Sequence, residues 1–170
     1  MPDAVPDAGL PIRRDWGHAA LDAYAGAHLL VRGVGPDEVA RLAGGRLAYL
    51  ATPYSKIACC NFGAWHAHAS IEAAVRAARW ARELALLGVT AVSPVIQAVE
   101  MVHANVDNPL NPLDAEFWGR WCQPLLDASG LVVVPPIPGW RESDGIWREV
   151  RAALCSNRQV FLIGENGGVA

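Results

Sequence analysis

LVVVPPIPGWRESDGIWREVRAA, residues 131–153, decides how this chain is read. Four consecutive apolar residues, Leu131 to Val134, show no polar alternation, the pattern of a strand covered on both faces. A loop rich in proline and glycine follows, and helical periodicity then runs over residues 145–156. In an open parallel α/β sheet, small ligands bind outside the carboxyl ends of the strands. The stretch sets Ser143, Gly145 and Glu149 around one such strand-to-helix junction: a hydroxyl, a bare backbone and a carboxylate. As a plain helix position, Glu149 would be a solvated glutamate between Arg148 and Arg151. The long loop before it favours a site instead, because binding residues concentrate on such loops. The spacing puts Glu149 in the first turn of the helix. There the dipole favours its ionised form by about 0.3–1 kcal/mol, which suits a nucleophile better than a general acid.

The alternation extends outward from this unit. Residues 47–51 read as a short apolar strand ending in Thr52-Pro53-Tyr54-Ser55. Residues 69–87 read as a long helix with Ala73, Ala77, Trp80 and Leu84 on one face and Gly88 as its stop. Residues 90–92 form a second strand ending at Ser93-Pro94, and residues 95–112 are mixed, with a short helix. Residues 114–128 are helical, and residues 159–163 are the last strand. Strand and helix in strict alternation predict a parallel sheet with right-handed crossovers. The expected fold is therefore α/β: a three-layer sandwich over residues 47–170 with a short flavodoxin-like sheet of order 2-1-3-4. Ahead of it, residues 1–46 read as a small helical N-terminal segment. Residues 1–14, with three prolines and a glycine, form a mobile arm. A helix follows over 16–30 and a short one over 36–42, opened by Pro36. Packing, edge cover or an oligomer contact is the expected role.

Composition narrows the function classes. A chain of 170 residues that is 52% hydrophobic can build a proper core. A net charge of −3 argues against a nucleic-acid polymer as partner. No apolar run reaches the ~20 residues of a membrane helix, so no membrane is expected. The first residues lack the pattern of a secretory signal, and the four cysteines read as reduced thiols, which together point to the cytoplasm. Cys59, Cys60, His66 and His68 match no standard zinc spacing, so neither metal nor other cofactor is expected. Cys122, on an apolar helix, reads as inert.

Thr52, Tyr54 and Ser55 end the first strand, where hydroxyls and free N–H groups can hold a phosphate or sugar. Neither a Gly-x-Gly-x-x-Gly nor a Walker pattern occurs, which removes dinucleotide and triphosphate binding through those motifs. No Gly-x-Ser-x-Gly elbow is visible. Trp118 and Trp121 read as core at helical spacing. Trp140, in the loop beside the junction, is the candidate for stacking on a base.

Taken in order, LATPYS, LALLGVTAVSPV, FWGRWCQPLLDASGLVVVPPIPGWRESDGIWREVRAA and QVFLI resemble the nucleoside 2-deoxyribosyltransferase-like superfamily. Within it they resemble the DUF1937-type group, through Tyr54-Ser55, Ser93-Pro94 and Gly139-Trp140 followed by Ser143, Gly145 and Glu149. The resemblance covers residues 47–163 and implies N-glycosidic bond chemistry on a small-molecule nucleotide or nucleoside. It implies that Glu149 attacks the anomeric carbon and that the glycosyl-enzyme ester passes to water or to another base. It further implies that Tyr54 and Ser55 line the site beside the first strand, that Ser143 and the Gly145 backbone hold sugar or phosphate, and that the chain forms a homo-oligomer; Thr52, Ser93 and Trp140 complete the expected substrate-binding set. Two departures bear on the reaction. No acidic residue stands near Cys122, where transferases carry one, and Ser143 stands where they often carry Asp. A hydroxyl accommodates a phosphate better than a second anion would, which favours hydrolysis over base exchange. The alternatives are a nucleotide-binding module without turnover, and an NAD glycohydrolase.

Overall fold

Five short strands lie parallel in the order β1-β5-β4-β2-β3, in a computed structural model that describes residues 9–165. They are β1 (Leu30–Val34), β2 (Ala48–Leu50), β3 (Ala91–Val92), β4 (Leu131–Val134) and β5 (Gln159–Ile163). The central strand β4 is buried along its whole length. Its successive side chains point to opposite faces. Val132 and Val134 join Tyr49, Val160 and Leu162 in one cluster, whereas Leu131 and Val133 join Leu50, Phe161 and Ile163 in another. Helices cover both faces. α1 (Ala20–Gly26), α6 (Ala115–Ala128) and α7 (Asp144–Cys155) contribute Leu21, Leu126 and Trp147 to the first cluster. α2 (Pro36–Ala43) and α4 (Ala67–Leu86) contribute Val39 and Leu84 to the second. α3 (Ser55–Ala58) and α5 (Pro94–His103) follow β2 and β3.

The sheet differs from the four-stranded order expected. The four later strands run β3-β2-β4-β5, and a fifth, β1, lies beyond β5. Residues 30–34 were expected to hold the end of a helix and the break after it, at Gly33. Instead α1 stops at Gly26, and His28 turns the chain with a positive φ of 58°. Leu30 and Val31 then pair with Val160 and Phe161. Pairing to a waiting strand overrides the local periodicity, which cannot register a distant partner. The α/β layers thus reach back before residue 47. The mobile arm expected over residues 1–14 lies partly outside the described residues; its described part is fixed, with Leu10 buried in the first cluster. The Cys- and His-rich stretch that follows α3 holds an antiparallel bridge between Cys59 and Trp65. Among the described residues no helix is long and apolar enough to cross a membrane.

Candidate functional site: a carboxyl–phenol pair in a cavity

A cavity of about 460 Å³ opens at the carboxyl ends of β2 and β3 and is closed on its far side by α6 and the start of α7. Its size falls in the range of small-molecule sites. Glu149 lines it. The Tyr49 hydroxyl donates a hydrogen bond of 2.6 Å to Glu149 Oε1, joining the middle of β2 to α7 across the first core layer. Strand alternation turns Tyr49 to the face opposite Ala48 and Leu50, the face α7 covers.

This pair sets its own ionisation. Burial pushes the Glu149 carboxyl up to about 7, against the Tyr49 hydrogen bond and the Arg148 charge, which pull it down. Burial, and then the Glu149 charge, lift the Tyr49 phenol far above its ordinary value. The Cys122 thiol, facing the same pair from α6, is pushed up to about 11 by burial and by Glu149. The dipole argument for an ionised Glu149 needs correction. α7 begins at Asp144, with Ser143 as its N-cap, so Glu149 stands in the second turn. The dipole's influence fades within the first turn, and desolvation wins.

The other expected residues divide. Thr52, Tyr54, Ser55, Ser143 and Gly145 all line the cavity. The Thr52 hydroxyl is buried with no hydrogen-bond partner. A group left so costs about 1–3 kcal/mol unless something satisfies it. Tyr54 is committed within the protein: Trp65 donates to its oxygen at 2.8 Å, and Ser70 lies 2.9 Å from it. Ser143 Oγ accepts from the Ile146 N–H at 3.3 Å, which caps α7 and leaves its own proton to donate. Ser93 and Trp140 do not line the cavity. Ser93 is buried behind Pro94, its hydroxyl unpartnered. Trp140 packs edge-on against Trp16 at 5.0 Å at the margin of the first core cluster, with the exposed Arg141 guanidinium 5.0 Å from its ring centroid. Among the described residues no group of three His, Cys, Asp or Glu side chains is placed to hold a metal ion.

Three lining residues that matter were absent from the expected set: Tyr49, Arg148 and Lys56. Tyr49 was legible as the lone polar tip in an apolar strand. Arg148 and Lys56 carry no signal apart from their place in the fold.

The segment carrying Glu149 is strapped from the N-terminal side. Trp147 Nε1 donates to the Pro11 carbonyl at 3.1 Å, and Arg151 Nε donates to that of Leu10 at 3.0 Å. Trp16 Nε1 donates to the Arg141 carbonyl at 2.9 Å, and Arg14 pairs with Asp144. Gly139, at φ +92°, turns the loop over α3 where a Cβ would come within 2.8 Å of Lys56 Cβ. Loop and helix are thereby fixed at both ends of the cavity wall.

Fold and site together define a parallel α/β protein with a cavity of about 460 Å³ at the carboxyl ends of its strands and a desolvated glutamate on its wall. The chain matches the sequence profile of DUF1937, a domain of unknown function, over residues 46–165, and it belongs to that family. No curated protein and no solved structure matches it.

Proposed function

We propose that this protein breaks the N-glycosidic bond of a (deoxy)nucleotide or nucleoside through Glu149, by hydrolysis in preference to base exchange, and that it works as a homo-oligomer. The observation that carries this reading is the Glu149 carboxyl, held by the Tyr49 hydroxyl at 2.6 Å, on the wall of a cavity able to enclose a small molecule. The superfamily resemblance of the flanking motifs supports the choice of bond.

In this reading a Glu149 carboxylate oxygen bonds to the anomeric carbon as the carbon–nitrogen bond breaks. The electron pair leaves with the base, which takes a proton from water. A second water then adds its oxygen to the sugar and cleaves the glycosyl ester, and the proton it releases neutralises the hydroxide left by the first, which restores the carboxylate. Tyr49 fixes the oxygen that attacks and stays protonated throughout, since its phenol is held far above its ordinary value. With Glu149 near 7, the reactive carboxylate forms as pH rises through neutrality.

The test is incubation with a panel of (deoxy)nucleosides, their 5′-monophosphates and NAD, with free base or nicotinamide followed by chromatography. Base release that disappears in Glu149→Gln is the expected result. Nicotinamide release alone would move the activity to NAD. Saturable binding with no product from any of them would make the protein a binding module.

A further inference from the structure

Glu149 is reached from two sides. A second cavity, of about 350 Å³, lies between α6 and α7 and is lined by Glu116, Arg120 and Gln123. It shares Tyr49, Cys122, Arg148 and Glu149 with the first. Arg148 is the cation common to both. Its guanidinium lies against Gly119 of α6, where a Cβ would come within 3.2 Å of Nη1. Glycine inside a helix costs about 1 kcal/mol relative to alanine. At this position it leaves room for the Arg148 guanidinium to lie against the helix.

Six other arginines, among them Arg14, Arg76 and Arg158, hold ion pairs. Among the described residues no carboxylate lies within ion-pair range of Arg148 and no hydrogen bond engages it. Among the described residues Lys56, the other cation of the first cavity, also makes no ion pair, whereas Asp144 is taken by Arg14. The Glu149 carboxyl is engaged by Tyr49. In a chain with a net charge of −3, this cavity thus sets two cations, Arg148 and Lys56, beside Glu149. The unpartnered Thr52 hydroxyl adds a further group awaiting a ligand.

We propose that Arg148, seated over Gly119 where the two cavities meet, reads an anionic group on the ligand, and that the substrate is therefore a nucleoside monophosphate rather than a nucleoside. A guanidinium offers five donors in a planar fork that matches two phosphoryl oxygens at once. The field of this group already reaches the reacting carboxyl, which it draws down against burial. The proposal rests on this cavity being the nucleotide site, and it stands whether or not Glu149 turns the ligand over.

The experiment measures binding of adenosine, deoxyadenosine and their 5′-monophosphates by calorimetry. The full chain carries Glu149→Gln so that ligands survive, and base release by wild type is assayed in parallel. Monophosphates are expected to bind at least tenfold more tightly than nucleosides. Adding Arg148→Gln should weaken monophosphate binding about 10- to 100-fold and change nucleoside binding less than about twofold. Arg148→Lys, which keeps the charge and loses the fork, should recover only part of the loss. Equal affinity for nucleoside and monophosphate, or a preference that survives Arg148→Gln, overturns the role of Arg148. Arg148-dependent binding without base release from wild type leaves the anion site standing and removes the glycosidase. Binding of neither ligand class overturns both.

Discussion

Replacing Glu149 by Gln should stabilise the protein at alkaline pH and leave it almost unchanged near pH 4. The folded chain holds the Glu149 proton up to about 7, against an ordinary value of 4.5. Between those values the unfolded chain binds fewer protons than the folded one, so stability falls as pH rises. At about 1.36 kcal/mol per pH unit, the full difference is about 3 kcal/mol, reached above pH 7. Glutamine keeps the shape and still accepts the Tyr49 hydrogen bond, but it has no charge to desolvate. The groups facing the carboxyl are Tyr49 from β2, Cys122 from α6 and Arg148 from its own helix. Burial keeps the Tyr49 phenol and the Cys122 thiol neutral across this range, so the change is that of Glu149. Urea unfolding of wild type and variant at pH 4 and pH 8.5 reads the effect. The variant should gain about 2–3 kcal/mol at pH 8.5, roughly 5–10 °C in midpoint for a chain of this size. A difference that stays flat between the two pH values would refute desolvation of this carboxyl. Such a gain is expected where a residue serves chemistry at the expense of stability.

Three further outcomes follow from the geometry. Tyr49→Phe deprives the carboxylate of its donor, so Glu149 should titrate above 7 and the protein should lose about 1–2 kcal/mol at pH 8.5 but less at pH 4, read by the same unfolding series. Trp16→Ala removes the ring between Trp140 and Trp147; it should cost about 2 kcal/mol and speed hydrogen exchange at residues 140–148, and unchanged exchange there would mean the strap is dispensable. His66 beside it draws the Cys60 thiol below its usual range while burial pushes Cys122 up to about 11, so iodoacetamide at pH 7.5 should alkylate Cys60 well before Cys122, as peptide mapping by mass spectrometry would show; comparable rates would place Cys122 in open solvent.

Periodicity alone located most elements. Residues 131–134 could only be a buried strand, since four apolar residues between breakers leave no face for water. Residues 69–87 and 114–128 had to be helices with one apolar stripe, and Gly88 and Asp114 marked an end and a start that the structure keeps within two residues. Residues 30–34 were misread because Leu30 and Val31 fit a helix stripe as well as a strand edge, and only β5 decides between them. Within the site, the hydroxyls at the end of β2 and the Ser143–Glu149 junction were legible because strand ends and helix starts carry local signals.

The sequence by itself determined the layers, because burial periodicity is a property of neighbours along the chain. Only the tertiary structure decided the state of the chemistry. It put Tyr49 beside Glu149 from a hundred residues away, turned Trp140 into packing and stood Arg148 unpaired over Gly119. The reason is physical: desolvation and hydrogen bonding depend on what surrounds a side chain in space, and a glutamate expected as an anion becomes one that shares its proton near neutrality.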